Sequence, residues 1–215
     1  MSNKIIRLPL GALASNCYII PADNGKAVVV DPASSGEVEA VLDSNELELG
    51  GIVITHGHFD HFAGAAALKA ASGAPVYAPD LDAEMLLSAD KSWAWFMQGT
   101  DFAPVTADHT FSDGETFSVC GVEVRVMAAP GHTAGSCLLF CERFNAILSG
   151  DVIFRGSVGR TDGFSGSDKM MVLSLEKIRK LPIEKNYAIL CGHGEPTDLI
   201  TELRSNPYLS MNDDF

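Results

Sequence analysis

Residues 50–64 decide the fold, and their sequence is Gly-Gly-Ile-Val-Ile-Thr-His-Gly-His-Phe-Asp-His-Phe-Ala-Gly. The β-branched apolar run at 52–54 follows two glycines, which predicts a buried strand. Four side chains able to bind a metal come directly after it within six residues: His56, His58, Asp60 and His61. The alanine-rich segment 63–71 then predicts a helix. The four polar side chains are therefore expected on the turn between a strand and a helix, where a rigid scaffold commonly holds catalytic groups.

Three more candidate ligands each follow an apolar strand and a glycine in the second half of the chain: His132, Asp151 and His193. A residue without a side chain lets the backbone approach a crowded centre. The repeated order of strand, glycine and ligand predicts one metal centre built from both halves of the chain. His109 is the only histidine in the sequence outside this pattern, and we expect it on the surface.

The motif His-x-His-x-Asp-His after an apolar strand resembles the signature of the metallo-β-lactamase superfamily. The resemblance runs from Asn16 to residues 206–209. It implies an α/β fold, a four-layer αββα sandwich, formed by residues 1–215 as a single domain. It also assigns the ligands, with one metal ion on His56, His58 and His132, a second on Asp60, His61 and His193, and Asp151 bridging both. Asp60 is in addition the candidate catalytic residue.

The resemblance implies two divalent metal ions. Nitrogen and oxygen ligands suit zinc, our first expectation, and equally iron or manganese. Two close cations lower the pKa of a shared water, so a bridging hydroxide exists near neutral pH. They also polarise a carbonyl group and stabilise the oxyanion formed when hydroxide attacks. The expected activity is hydrolysis of an activated ester without a serine or cysteine nucleophile.

The loop at 155–162, Arg-Gly-Ser-Val-Gly-Arg-Thr-Asp, resembles the loop after the bridging aspartate in glyoxalase II-like hydrolases, which cleave the thioester of hydroxyacylglutathione. In that branch a basic residue nine positions after the aspartate contacts the glutathione carboxylate, and Arg160 occupies that place here. A guanidinium suits a carboxylate. The alternative for Arg160 is a salt bridge within the loop. Because 22 residues follow His193, we do not expect the helical C-terminal domain that completes the glutathione site in full-length glyoxalase II.

Other activities remain open on the same fold. Persulfide dioxygenase has a similar Gly-Arg-Thr-Asp loop but uses one iron, held at positions matching His56, His132 and Asp151. A lactone is also an activated ester, so the site would equally suit a lactone hydrolase. Asp151 stands where zinc β-lactamases carry a cysteine, which argues against antibiotic hydrolysis as the main activity. The complete ligand set disfavours a metal-binding scaffold without turnover.

Composition excludes several other classes of function. The net charge of −13 argues against nucleic-acid binding and against adhesion to an anionic membrane. No apolar run approaches the ~20 residues needed to span a bilayer. Five cysteines do not resemble a disulfide framework, and Arg7 and Pro9 interrupt the N-terminal stretch that would otherwise suggest an export signal. We expect a cytoplasmic enzyme with a small-molecule substrate; the sequence does not indicate an oligomeric state.

The remaining elements follow from hydrophobic periodicity and turn residues. Short strands are predicted at 5–10, 17–21, 27–30, 74–78, 117–119, 122–127, 136–141, 145–148 and 187–190. Helices are predicted at 37–42, 80–87, 168–180 and 197–204. Residues 88–110 contain the aromatic side chains of Trp93, Trp95, Phe96 and Phe102. This segment is either a hydrophobic flap over the active site or aromatic core packing.

Overall fold

The computed structural model describes residues 4–97, 99 and 101–210. The first half of the chain forms a six-stranded sheet whose strands are adjacent in chain order. These strands are β1 (Ile6–Leu10), β2 (Ser15–Pro21), β3 (Lys26–Val30), β4 (Glu48–Val53), β5 (Val76–Pro79) and β6 (His109–Phe111). β1 to β3 are antiparallel, whereas β3 to β6 are parallel.

The second half forms another six-stranded sheet, ordered β7-β8-β9-β10-β13-β14. Its strands are β7 (Thr116–Val119), β8 (Val122–Ala128), β9 (Cys137–Cys141), β10 (Ala146–Gly150), β13 (Ala188–Cys191) and β14 (Thr197–Asp198). Only β10 and β13 pair in parallel within the described part of this sheet. Between them, β11 (Ile153–Phe154) and β12 (Ser157–Val158) form a small hairpin in the predicted glycine-rich loop.

Helices cover the outer face of each sheet. They are α1 (Gly36–Ser44), α2 (Phe59–Phe62), α3 (Ala65–Ser72), α4 (Asp168–Arg179) and α5 (Leu199–Ser205). The alternating directions of side chains along a strand explain the layering. Val28 and Val30 pack between the sheets, whereas Val29 packs with Leu42 of α1 and Leu68 of α3. On the other outer face, buried side chains of α4 and α5 pack on the second sheet. The predicted αββα sandwich is confirmed.

Two predicted helices differ from the structure. Residues 80–87 form two separate 3₁₀ turns, Asp80–Asp82 and Met85–Leu87, because the Asp82 side chain turns inward and bonds to loops elsewhere in the fold. The helix predicted at 63–71 corresponds to α3, which begins after Gly64 and is preceded by the short α2. A Cβ atom at Gly64 would lie 2.4 Å from the backbone of Ser34, so this junction packs tightly against the chain before α1. No helix within the described ranges is long and apolar enough to cross a membrane.

His109 lies exposed on the edge strand β6, as predicted. Its imidazole stacks on the ring of Tyr77 with 4.7 Å between centroids. It therefore serves as a matched control for the other five histidines, which the fold gathers in one place.

Candidate metal centre

The carboxyl ends of strands from both sheets deliver the seven candidate ligands. β4 runs into the turn that carries His56 and His58, and α2 follows with Asp60 and His61. The loops after β8, β10 and β13 carry the remaining three: His132, Asp151 and His193. The structure brings all seven together at one end of the sandwich, as two groups of three with Asp151 between them. A third group able to hold a metal, Asp31 with His56 and His61, adds a residue outside the predicted set.

The first cluster consists of His56, His58 and His132, all buried. Nδ1 of His58 lies 2.8 Å from Nε2 of His132, and the ring centroids of His56 and His132 are 4.8 Å apart. One nitrogen of each ring lies within 4.8 Å of the others. Three imidazole nitrogens therefore converge on one point.

The second cluster consists of Asp60, His61 and His193. Oδ2 of Asp60 lies 3.4 Å from Nε2 of His61 and 3.3 Å from Nε2 of His193. The two imidazole Nε2 atoms are themselves 3.3 Å apart. This cluster combines one carboxylate with two imidazoles, a set of hard and borderline donors that suits zinc, iron or manganese.

Asp151 lies between the clusters and touches both. Its Oδ2 is 3.5 Å from Nε2 of His132 in the first cluster and 3.4 Å from Nε2 of His193 in the second. Its Oδ1 is 3.4 Å from Nε2 of His61. A buried carboxylate between two sets of imidazoles has the geometry expected of a bridging ligand.

Orphaned polar atoms test whether metal ions fit these residues. Nε2 of His56 and Oδ1 of Asp151 are buried without a hydrogen-bond partner among the described residues. Such atoms are costly and rare in folded proteins. A cation bound by the imidazoles and the carboxylate would satisfy both atoms, so the donor set fits a metal centre.

Burial lowers the pKa values of two histidines in the first cluster. For His56 the pKa falls well below its ordinary value, because burial and then the positive charge of His61 disfavour the imidazolium. For His58 burial and the neighbouring His132 lower the pKa to about 3. Both rings are therefore neutral near pH 7, which is the protonation state that binds a metal.

In the second cluster, neighbouring carboxylates raise the pKa values of the histidines instead of lowering them. Burial disfavours charge on His61, but the carboxylates of Asp60 and Asp151 outweigh it and raise the pKa of His61 to about 9. Burial likewise opposes charge on His193, while bonds to Asp151 and Asp60 raise its pKa to about 10. Burial also opposes ionisation of both carboxyl groups, yet the charge of His61 helps to lower their pKa values. In the metal-free protein, the positive charges of the protonated histidines therefore offset the negative charges of the carboxylates.

Asp31 supports both His61 and the ligand-bearing turn, and the sequence did not predict this role. Its Oδ2 lies 3.0 Å from Nδ1 of His61 and accepts a hydrogen bond from Oγ1 of Thr55 at 2.6 Å. Its Oδ1 accepts from the backbone N–H of Thr55 at 2.8 Å. A partner on the far nitrogen fixes the tautomer and orientation of a ligating histidine. Asp31 directly follows the apolar run of β3, in a stretch, Val28-Val29-Val30-Asp31-Pro32, that is similar to the opening of the metallo-β-lactamase fold.

Asp82 was also missed by sequence reasoning, and it joins two ligand loops. Its carboxylate accepts hydrogen bonds from the backbone N–H groups of Gly57 at 2.8 Å and Gly135 at 2.7 Å. It also accepts from Oγ1 of Thr133 at 2.6 Å. Gly57 lies between two ligands of the first sheet, and Thr133 follows His132 of the second. The buried Asp82 thus fixes one loop relative to the other.

The N-terminal hairpin closes the second cluster. Oγ of Ser15 donates a hydrogen bond to Oδ2 of Asp60 at 2.7 Å, and Nδ1 of His193 lies 3.2 Å from the carbonyl oxygen of Leu13. Nδ2 of Asn16 donates to the carbonyl oxygens of Cys191 and Gly194 at 2.8 Å each. The turn between β1 and β2 therefore positions both Asp60 and the loop carrying His193.

Gly192 shows why a glycine precedes a ligand. A Cβ atom there would lie 2.1 Å from Oδ1 of Asp151 and 2.7 Å from Cε1 of His61, distances that no side chain tolerates. The predicted close approach of backbone to the crowded centre is confirmed at this position.

The Arg160 side chain is exposed and pairs with a neighbour in its own loop. Its Nε and one terminal nitrogen bond to the two carboxylate oxygens of Asp162 at 2.6 and 2.7 Å. The alternative salt bridge within the loop is thus present in this structure. The Arg160 carbonyl oxygen nevertheless lies 2.7 Å from Nδ1 of His132, so this loop supports the first cluster through its backbone.

The aromatic segment 88–110 was predicted to be either a flap over the active site or core packing, and its side chains divide between these two roles. Trp93 lies against the site, with its indole stacked on the His58 imidazole at 4.9 Å. Phe102 packs on Phe59 at 5.2 Å, beside the buried core of the first outer layer. Trp95 is 65% exposed and does neither.

Residues 10–193 match the family model described as the metallo-beta-lactamase superfamily. The chain belongs to this superfamily. It is therefore an enzyme of a superfamily of metal-dependent hydrolases, and its gathered histidines and aspartates are the candidates for the metal site.

Relatives within the superfamily cover this chain almost completely. Hydroxyacylglutathione hydrolase GloC of Haemophilus influenzae is 30% identical over 207 residues, which are 94% of this chain and 96% of that protein. The crystal structure of BLEG-1, a B3 metallo-beta-lactamase, has a TM-score of 0.89 and 28% identity, covering 97% of this chain and 100% of that one. The crystal structure of TTHA1623 in a di-iron-bound form has a TM-score of 0.82 and 32% identity, covering 95% and 100%.

Proposed function

We propose that this protein is a dinuclear metal-dependent hydrolase of activated esters, with thioesters of the hydroxyacylglutathione type as its substrate class. The observation that carries the proposal is the position of Asp151, whose oxygens lie within 3.5 Å of ligand nitrogens in both clusters. A carboxylate in that position suits a pair of cations better than a single one. The relative in Haemophilus influenzae named hydroxyacylglutathione hydrolase supports the substrate class.

In this proposal each cluster would hold one divalent cation, and Asp151 would serve as a ligand to both. Two such cations supply Lewis acidity and a water of lowered pKa. The relative crystallised in a di-iron-bound form and the donor set leave zinc, iron and manganese as candidates, with zinc our first expectation.

The chain's own groups have distinct tasks in this mechanism. Asp60 is our candidate catalytic residue. Burial opposes its ionisation, but the charges of His61 and His193 lower its pKa, so its carboxylate is ionised near pH 7 and can accept a hydrogen bond from an attacking water. Ser15 holds Oδ2 of Asp60 in place. The thiolate released from a thioester is a good leaving group, so the site requires no buried general acid.

Arg160 is our candidate for binding a carboxylate of the substrate. Its guanidinium is exposed on the loop whose backbone touches His132, so a substrate at the metal centre can reach it. Its planar fork already binds one carboxylate, that of Asp162, through two nitrogens. A substrate carboxylate would replace or join Asp162 in the same geometry.

Two alternatives were weighed against this proposal, and one of them has a specific observation in its favour. The similarity to BLEG-1 favours a β-lactam as a second substrate class, since a β-lactam is also an activated acyl compound. A persulfide dioxygenase would use His56, His132 and Asp151 with one iron. That would leave the second cluster, with Asp60, His61 and His193 converging within 3.4 Å of one another, without a task. We therefore favour the dinuclear hydrolase.

The decisive experiment combines elemental analysis with a substrate panel on the purified protein. We expect about two metal ions per chain. We also expect the protein to hydrolyse S-lactoylglutathione faster than a simple lactone or nitrocefin. Its turnover of glutathione persulfide, measured as oxygen consumption, should be slower as well. Asp151→Ala should lose metal and activity together, while His109→Ala retains both. A single tightly held iron, unchanged by added zinc, together with oxygen consumption, would overturn the proposal.

A further inference from the structure

His58 differs from the other candidate histidine ligands in what holds its ring. A ligating histidine ordinarily donates its second ring N–H to a carboxylate, a carbonyl or water. Four rings have an oxygen within 3.2 Å of Nδ1, the nitrogen remote from the cluster: His56 (Thr55 Oγ1), His61 (Asp31), His132 (Arg160 O) and His193 (Leu13 O). In His58 the arrangement is reversed, with Nδ1 facing the cluster. Its Nε2 is buried and has no hydrogen-bond partner within the described part of the chain.

Trp93 packs over the face of the same ring, where no hydrogen-bond partner holds it. Its indole lies nearly parallel to the His58 imidazole, with 4.9 Å between centroids and 12° between planes. Gly163 closes the same contact, because a Cβ atom there would lie 2.9 Å from Cζ2 of Trp93 and 3.5 Å from Nε2 of His58. The ring of His58 is therefore held by aromatic stacking and close packing rather than by a hydrogen bond.

The backbone at Trp93 shows that the surroundings hold this indole in place. Its φ angle is 59°, in the left-handed region that bulky residues rarely adopt. The preceding residue, Ser92, is buried, and its carbonyl oxygen accepts a hydrogen bond from the backbone N–H of Phe59 at 2.9 Å. Phe59 begins α2, which carries Asp60 and His61. Backbone strain of this kind persists where the surrounding structure enforces it, commonly at functional sites.

Trp93 also contacts the candidate substrate-binding arginine. The guanidinium carbon of Arg160 lies 5.0 Å from the centroid of the indole, within the range of a cation–π interaction. The Arg160 carbonyl oxygen meanwhile contacts His132. One indole thus touches a ligand of the first cluster and the side chain that faces the substrate.

We propose that Trp93 is a positioning residue of the first cluster, which orients His58 by stacking and carries the guanidinium of Arg160 beside the metal centre. The inference rests on the dinuclear centre of the proposed function. Because Trp93 touches His58 and none of the second cluster among the described aromatic contacts, its loss should weaken one metal site and spare the other. A purely structural role would lower both affinities together.

The first test is chelator competition with Zn²⁺ on the metal-free protein. Trp93→Gly removes the indole while glycine adopts the positive φ angle without strain, and circular dichroism confirms that the variant folds. We expect it to lower the affinity of one of the two zinc ions about tenfold and leave the other unchanged. Trp93→Phe, which retains a stacking ring, should restore most of that affinity. Trp95→Ala, at an exposed aromatic two residues away, should change neither.

The second test uses fluorescence, since the sequence contains two tryptophans. Trp95→Phe leaves Trp93 as the only one, and its emission should change when Zn²⁺ binds beside the stacked imidazole. Trp93→Phe, which leaves only Trp95, should show no such change. Two zinc ions bound with parental affinities by Trp93→Gly would overturn this inference alone. A parent protein that binds no zinc would overturn the proposed function, and this inference with it.

Discussion

Oδ2 of Asp31 lies 3.0 Å from Nδ1 of His61, while Nε2 of the same ring faces Asp60 and Asp151 at 3.4 Å. The imidazole is thus held from one side by a buried carboxylate and presented to the metal centre from the other. This arrangement fixes both the tautomer and the direction of the ring.

Replacing Asp31 with alanine should therefore weaken metal binding without removing a ligand. We expect Asp31→Ala to lower metal affinity at the second cluster about ten- to hundredfold, measured by chelator competition. Asp43→Ala, at an exposed aspartate on α1, provides the control. Equal affinities in the two variants would show that His61 does not depend on Asp31 for its orientation.

A methyl group at Gly192 should displace the bridging carboxylate. Because a Cβ atom there would overlap Oδ1 of Asp151 at 2.1 Å, Gly192→Ala should lower kcat/KM at least about tenfold, the cost of misplacing a reacting group. Gly36→Ala is the matched control, since a Cβ atom at Gly36 meets nothing within 4 Å. Metal content and kinetics measured on both proteins test the prediction, which fails if Gly192→Ala retains parental activity.

The pairing of Arg160 with Asp162 allows a test in both directions. Arg160→Ala should lower kcat/KM for a glutathione thioester about ten- to hundredfold, mostly through KM, because the guanidinium lies away from the reacting carbonyl. Asp162→Ala frees the guanidinium and should lower KM for the same substrate.

An uncharged thioester is the control substrate for both variants. It offers no carboxylate to Arg160, so its kinetic constants should change much less. Equal losses on charged and uncharged thioesters would mean that Arg160 only shapes its loop.

Metal binding at the second cluster should release protons. His61 and His193 have pKa values raised from 6.5 to about 9 and about 10 by neighbouring carboxylates, so the metal-free protein keeps protons there at pH 7.5. A ligating imidazole must lose its proton. Affinity should therefore rise as pH increases from 6.5 and level off above about 10. At the first cluster His56 and His58 have lowered pKa values and contribute no such dependence in this range.

Calorimetry in buffers of different ionisation enthalpy measures this release directly. We expect about two protons per chain from these histidines at pH 7.5 when both ions bind, and about one more from the shared water that the ions ionise. A buffer-independent heat would show that the metal-free histidines are already neutral.

The seven candidate ligands could be predicted from the sequence because an apolar strand, and usually a glycine, precedes them in the chain. Asp31 also follows an apolar strand directly, but its role, like that of Asp82, depends on contacts that no local pattern shows. The role of Asp31 depends on the parallel pairing of β3 and β4, which sets Val30 opposite Val53 and so brings Asp31 beside Thr55. The role of Asp82 depends on tertiary contacts with loops 25 and 53 residues away. Those same contacts overrode the helical propensity of residues 80–87.

The carboxylate of Asp82 has a further consequence for how the centre acquires its ions. Because it ties the turn holding Gly57 to the loop holding Gly135, the ligands of the two sheets keep their spacing before an ion arrives. Metal capture then requires little rearrangement of the chain. What capture still requires is the loss of the protons that His61 and His193 hold near pH 7.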